Sequence, residues 1–198
     1  GPIEVVPNGI DIARFREPAW RTDRASLGLP KAAVVAVFVG RMSGEKNVRT
    51  LLRAFAPVAR EAPNARLMLI GGGPELEDFR QTAQEQGIGS QVLFTGPVPY
   101  EQMPGYLALA DFFVTASVSE VHPLTVLEAM AAGLPVLGID SPGVSDTVVN
   151  GVNGFVVEND YAALALKMLR LFSEPDARAS LADGARQSSL RYDIRTTT

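Results

Sequence analysis

The chain contains no cysteine, which excludes disulfides, cysteine-ligated zinc and a thiol nucleophile. It has one histidine, His122, and a single imidazole with no thiolate is a poor basis for a transition-metal site, so no metal is expected. Long hydrophobic runs are missing too: the longest, residues 32–40, is less than half of the roughly 20 residues a membrane helix needs. The amino end carries no charged-then-apolar stretch of the signal-peptide kind, and the expected compartment is the cytoplasm. Basic charge is also scarce. With a net charge of −4, a pI near 5.1 and no local cluster of Lys or Arg, the chain is not expected to bind nucleic acid or to contact an anionic membrane directly. Three sequence signatures are absent as well: a Gly-x-Ser-x-Gly elbow, a Gly-Lys-Ser/Thr phosphate loop, and a strand-borne Gly-x-Gly-x-x-Gly that opens a helix. Triad hydrolase, P-loop ATPase and dinucleotide dehydrogenase readings fall with them.

What is present is ordinary in bulk and ordered in detail. A chain of 198 residues with 46% hydrophobic and 20% charged residues is enough for one sizeable core, and a single domain over 1–198 is expected. Short β-branched or apolar runs at 33–39, 66–70, 91–95, 112–117, 135–139 and 153–157 read as strands buried on both faces. Helical patterns lie between or after them at 48–60, 75–86, 102–110, 124–132, 161–172 and 176–190. A short apolar strand before the Asn8-Gly9 turn, a connecting segment over 15–31, a loop at 141–146 and a helical turn at 147–151 complete the reading. Strand and helix alternate at βα spacing, which demands parallel pairing and right-handed crossovers. The predicted fold is α/β: a doubly wound, Rossmann-like parallel sheet with helices on both faces.

The candidate chemistry gathers where strands end. After the first long strand comes Gly40-Arg41-Met42-Ser43-Gly44-Glu45-Lys46-Asn47, a glycine-bearing turn with two cations in front of a helix, a layout that suits phosphate. Gly71-Gly72-Gly73-Pro74 closes the second strand, and three glycines imply a sharp turn or a close approach to the backbone. Phe94-Thr95-Gly96-Pro97-Val98 closes the third. After the fourth, Glu120 and Glu128 stand on either side of Pro123, the first on a loop and the second about one turn inside a helix. The start of that helix, near Leu124 and Thr125, offers unpaired N–H groups and the positive end of the helix dipole. Two acids beside such an end fit a ligand with phosphate for the backbone and hydroxyls for the carboxylates, as a nucleoside diphosphate sugar has. His122 lies between the acids and is either a helix-start residue without a role or a group facing sugar or phosphate.

Glu120 through Val136, with its Glu-Ala-Met-Ala-x-Gly-x-Pro-Val tail, resembles the E-x7-E signature of retaining, nucleotide-sugar-dependent glycosyltransferases of family 4. The Gly-Arg-x-x-x-Glu-Lys-Asn loop, the Gly-Gly-Gly-Pro turn and the Asn-Gly-x-x-Gly-Phe-Val stretch after Asp146 resemble the same family in the same order. One departure is His122-Pro123, where the family usually has an aromatic residue and a glycine; Pro123 removes a backbone donor. The resemblance implies one lobe of a GT-B fold, the lobe that binds the donor, with the acceptor held by an N-terminal lobe outside this chain. It implies Arg41, Lys46 and Glu120 as catalytic residues. It implies Gly40, Gly71, Gly96, Val98, His122, Pro123, Leu124, Thr125 and Glu128 as donor-binding positions. Arg41 and Lys46 would meet the diphosphate, Glu120 the sugar hydroxyls, Glu128 the ribose hydroxyls, and the Gly96–Val98 backbone the base. The expected partner is a nucleotide-diphosphate sugar, with no separate cofactor, in a parent enzyme that could be peripheral to a membrane. Two other functions compete: a nucleotide-sugar-binding module with no catalytic partner, and, with less in its favour, a nucleotide-sugar epimerase of the same fold.

Overall fold

A computed structural model of the protein describes residues 9–119 and 123–196. Among the described residues six strands form one sheet: β1 (Val34–Val39), β2 (Ala65–Ile70), β3 (Val92–Gly96), β4 (Phe112–Thr115), β5 (Val136–Ile139) and β6 (Gly154–Val157). All pairings are parallel, in the order β3-β2-β1-β4-β5-β6. The chain therefore builds outward from β1 to one edge, crosses back, and builds outward again from β4. Between β1 and β4 the direction of winding reverses, and the loops leaving the two strands diverge to opposite faces and open a crevice.

Helices cover both faces, as the buried strands require. In β1, Ala36 and Phe38 point into one core while Val35 and Val37 point into the other, the two-residue alternation of a strand with no solvent face. The first core is closed by α2 (Val48–Glu61), α3 (Leu76–Glu85) and α7 (Tyr161–Ser173), through Leu51, Leu52, Phe55, Phe79, Leu164 and Met168. Phe112 of β4 meets Phe172 edge-on, with ring centroids 4.9 Å apart. The second core is closed by α1 (Ile12–Arg16), α4 (Met103–Leu107), α5 (Leu124–Ala131), α6 (Pro142–Thr147) and α8 (Pro175–Ser189).

Several boundaries differ from the sequence reading. The stretch expected as pure connection over 15–31 is entered by α1, whose Phe15 is buried beside Ile12 in the second core; five residues are too few to show helical periodicity. Of residues 141–146, expected as a loop, 142–146 instead form most of α6, because Pro142 takes the first helical turn behind an extended Ser141. The helical turn expected at 147–151 is absent. Val148 is extended, and the Asn153 side chain accepts from Val149 N–H and donates to the Thr147 carbonyl, so side-chain bonds replace the helical ones. α4 is shorter than expected, and a 3₁₀ turn over Tyr100–Gln102 precedes it. The strand expected before Asn8 lies outside the described residues.

Candidate functional site

The loop after β1 is held from below by backbone bonds. Gly40 N–H donates to the Ile70 carbonyl and Gly71 N–H to the Gly96 carbonyl, at 3.0 Å each, tying the exits of β1, β2 and β3 into one rim. Met42 exchanges backbone bonds with the glycine turn, donating to Gly72 and accepting from Glu75. The close approach implied by the three glycines is thus made by a neighbouring loop. Gly71 has φ +142°, and a Cβ there would sit 1.9 Å from the Gly40 carbonyl oxygen. Gly96 also needs a positive φ, at +72°, but has open space around it. Arg41 stands exposed at the top of this rim and Lys46 is half-buried in the 3₁₀ turn Gly44–Lys46.

Asn47 joins the two halves of the sheet. It has φ +54°, the one non-glycine residue in the left-handed region among the described residues, which asparagine tolerates better than most side chains. Its Nδ2 donates to the Ala116 carbonyl at 3.1 Å, just past the end of β4, while its Oδ1 accepts from Thr50 at 2.7 Å. The loop after β1 is therefore bonded across the switch point to the segment that follows β4. In the sequence Asn47 stands only as the end of a motif; its residue type at a loop-to-helix junction is the available signal.

On the far side of the crevice, α5 begins after Pro123, which is the N-cap residue and is buried. The Pro123 carbonyl accepts from both Val126 and Leu127 N–H, leaving Leu124 and Thr125 as the helix's forward donors. Leu124 is exposed and Thr125 half-buried. Glu128 lies just over one turn in, as expected, and is only 6% exposed. Its Oε1 accepts from the Tyr100 hydroxyl at 2.7 Å. Burial pushes the Glu128 carboxyl above its ordinary value, against the pull of the Tyr100 bond and of Arg14. Tyr100, outside every predicted site set, is itself pushed up to about 12, mostly by burial of its hydroxyl and then by the Glu128 bond. Val98 is half-buried two residues before it.

Arg41, Lys46, Gly40, Gly71, Gly96, Val98, Pro123, Leu124, Thr125 and Glu128 are thus all placed at the carboxyl edge of the sheet, on the exits of β1, β2, β3 and β4. Glu120 and His122 lie outside the described residues. Among the described residues no group of His, Asp and Glu has the makings of a metal cage. Nor is any helix long and apolar enough to cross a membrane.

Comparison with known proteins agrees with this architecture. The alpha-monoglucosyldiacylglycerol synthase of Streptococcus pneumoniae is 34% identical over 172 residues, 83% of this chain and 39% of its own length. The GDP-mannose-dependent alpha-(1-6)-phosphatidylinositol monomannoside mannosyltransferase of Mycolicibacterium smegmatis is 32% identical over 95% of this chain and 52% of its own. The chain thus spans about half or less of the length of these curated relatives. Among solved structures, Anabaena HepE in complex with UDP and glucose superposes with a TM-score of 0.85 at 26% identity, over 98% of this chain and 54% of HepE. The fold is that of a Rossmann-like lobe of GT-B glycosyltransferases. The sequence model of the family described as glycosyl transferases group 1 matches residues 21–188, and this chain belongs to that family.

Proposed function

We propose that this chain is the donor-binding lobe of a retaining glycosyltransferase that moves a hexosyl group from a nucleoside diphosphate sugar to an acceptor held by a second, N-terminal lobe. The observation that carries this is the convergence at the β1–β4 switch point of a cationic loop, a helix start and a buried carboxylate, joined by the Asn47 to Ala116 bond. Arg41 and Lys46, with the N–H groups of Leu124 and Thr125, offset the charge that grows on the leaving diphosphate, with no metal required. Glu128 accepts from the ribose hydroxyls, which suits an acceptor-only carboxylate. Glu120 and His122 complete the sugar end, and the backbone from Gly96 to Val98 meets the base. HepE, solved with UDP and glucose, supports a donor of this class, and relatives about twice as long leave room for an acceptor lobe.

The lobe alone is expected to bind nucleotide weakly and to transfer nothing; turnover above background by the isolated chain would contradict that. A thermal-shift screen of nucleoside diphosphates and their sugars identifies the base and sugar. In titrations with the best ligand, Lys46→Ala and Glu128→Ala should each weaken binding by about 1–3 kcal/mol, the worth of a charge-assisted hydrogen bond. Isotherms unchanged in both variants would remove the site.

A further inference from the structure

Tyr100 comes from the other half of the sheet from Glu128. It opens the 3₁₀ turn after β3, two residues beyond Val98, whereas Glu128 sits on α5 after β4. Tyr100 is half exposed at 51%, while its hydroxyl reaches the buried carboxylate at 2.7 Å. Arg14 of α1 lies over the ring, 4.5 Å from its centroid, and α1 itself packs against both α4 and α5. The ring is therefore fixed by a cation on its face, and the hydroxyl is aimed.

We propose that Tyr100 is a positioning residue of the donor site, whose hydroxyl holds the Glu128 carboxylate in one orientation and leaves its remaining lone pairs for the ligand's ribose hydroxyls. The proposal rests on Glu128 being the ribose acceptor. Two physical arguments support it. A carboxylate has about four acceptor positions and Tyr100 uses one, so the bond orients the group without exhausting it. A nearly buried carboxylate also needs a donor to stay charged, and the Tyr100 bond, aided by Arg14, counters the effect of burial. With its own ionisation pushed up to about 12, Tyr100 stays a donor across the working pH range. Among the described residues, the other charged groups acting on the pair are Arg14, on both members, and Asp11, on Tyr100; both lie on the α1 side.

Tyr100→Phe keeps the ring and its contact with Arg14 and removes only the hydroxyl. UDP and GDP are titrated into the wild-type chain and the variant, together with the dideoxyribose analogue of each. The expected result is an affinity about five- to tenfold lower for the ribose nucleotide, the effect of about one ordinary hydrogen bond, and no loss for the dideoxy analogue. The pH at which ribose-nucleotide affinity falls on acidification should also move upward in the variant, because Glu128 loses the donor that favours its charged form. Equal losses for both sugars would mean a merely structural tether and overturn the proposal, as would no loss for either. Glu128→Ala separates the two layers of the argument. If it binds UDP and GDP as tightly as the wild type, Glu128 is not the ribose acceptor and both readings fall. If it binds more weakly while Tyr100→Phe does not, only the positioning role falls.

Discussion

The loop after β1 and the first turns of α5 leave adjacent strands and face the same crevice, yet they are fixed by different means. The β1 loop is locked by main chain: Gly40 N–H donates to Ile70, Gly71 N–H to Gly96, and Met42 bonds both Gly72 and Glu75, all through backbone atoms, and glycines allow the approach. The α5 side is set by side chains: Tyr100 on Glu128, and Arg14 on Tyr100. Under the proposed function, backbone locking would suit the diphosphate, a ligand part that is the same in every donor, and side-chain setting would leave room for adjustment where hydroxyl geometry matters. Asn47 links the two regimes, with its backbone in the left-handed region and its side chain across the switch point.

The sharpest way to break the comparison is at Gly71. Gly71→Ala places a Cβ on the Gly40 carbonyl oxygen with backbone on both sides unable to yield, so a loss of at least about 3 kcal/mol is expected from overpacking added to backbone strain. Gly96→Ala, at φ +72° with open space, should cost only about 1–2 kcal/mol, the conformational term alone. Urea denaturation of both variants tests the difference, and equal costs would mean that loop-on-loop packing is not what holds the rim. Next in size is Asn47→Gly, which keeps the positive φ and removes only the two side-chain bonds. About 1–2 kcal/mol of stability should go, together with nucleotide affinity, because the cationic loop is no longer tied to the β4 exit. Retained affinity in a destabilised variant would show that the link serves folding alone.

The smallest effect concerns pH. Burial raises Glu128 above its ordinary value of 4.5, so between that value and the raised one the folded chain binds more protons than the unfolded chain. Stability contributed by this group is therefore present below about pH 4.5 and is lost as pH rises through the raised value. Glu128→Gln has no such loss. The wild type should become less stable relative to Glu128→Gln as pH rises from 4 to 8, while binding nucleotide better, as measured by melting and titration at each pH. A wild type that keeps or gains stability relative to Glu128→Gln over that range would mean the carboxylate is not buried at a cost.

Much of the β1 side was legible in the chain. Gly-Arg-x-x-x-Glu-Lys-Asn after a β-branched run, and three glycines after the next, report backbone requirements, and backbone requirements write themselves into residue type. The strands could be read because burial on both faces leaves continuous apolar runs. On the α5 side, Glu128 could be located by spacing from Pro123, but its partner could not. Tyr100 lies 28 residues upstream in a Pro-rich corner where an exposed aromatic carries no periodic signal. α1 and α6 were missed because five- and six-residue helices fall below the length at which a 3.6-residue period can be seen.

The amino-acid sequence alone settled that alternating strands and helices must build a parallel sheet and that the loops at its carboxyl edge would carry glycines, cations and acids. Each of these follows from local sterics and from the need to bury apolar runs. Only the tertiary structure decided which of those loops meet. Asn47 reaches Ala116 across 69 residues and Tyr100 reaches Glu128 because β1 lies beside β4 in the sheet order. Strand order is a collective outcome of packing both cores at once, and no short stretch of chain encodes it.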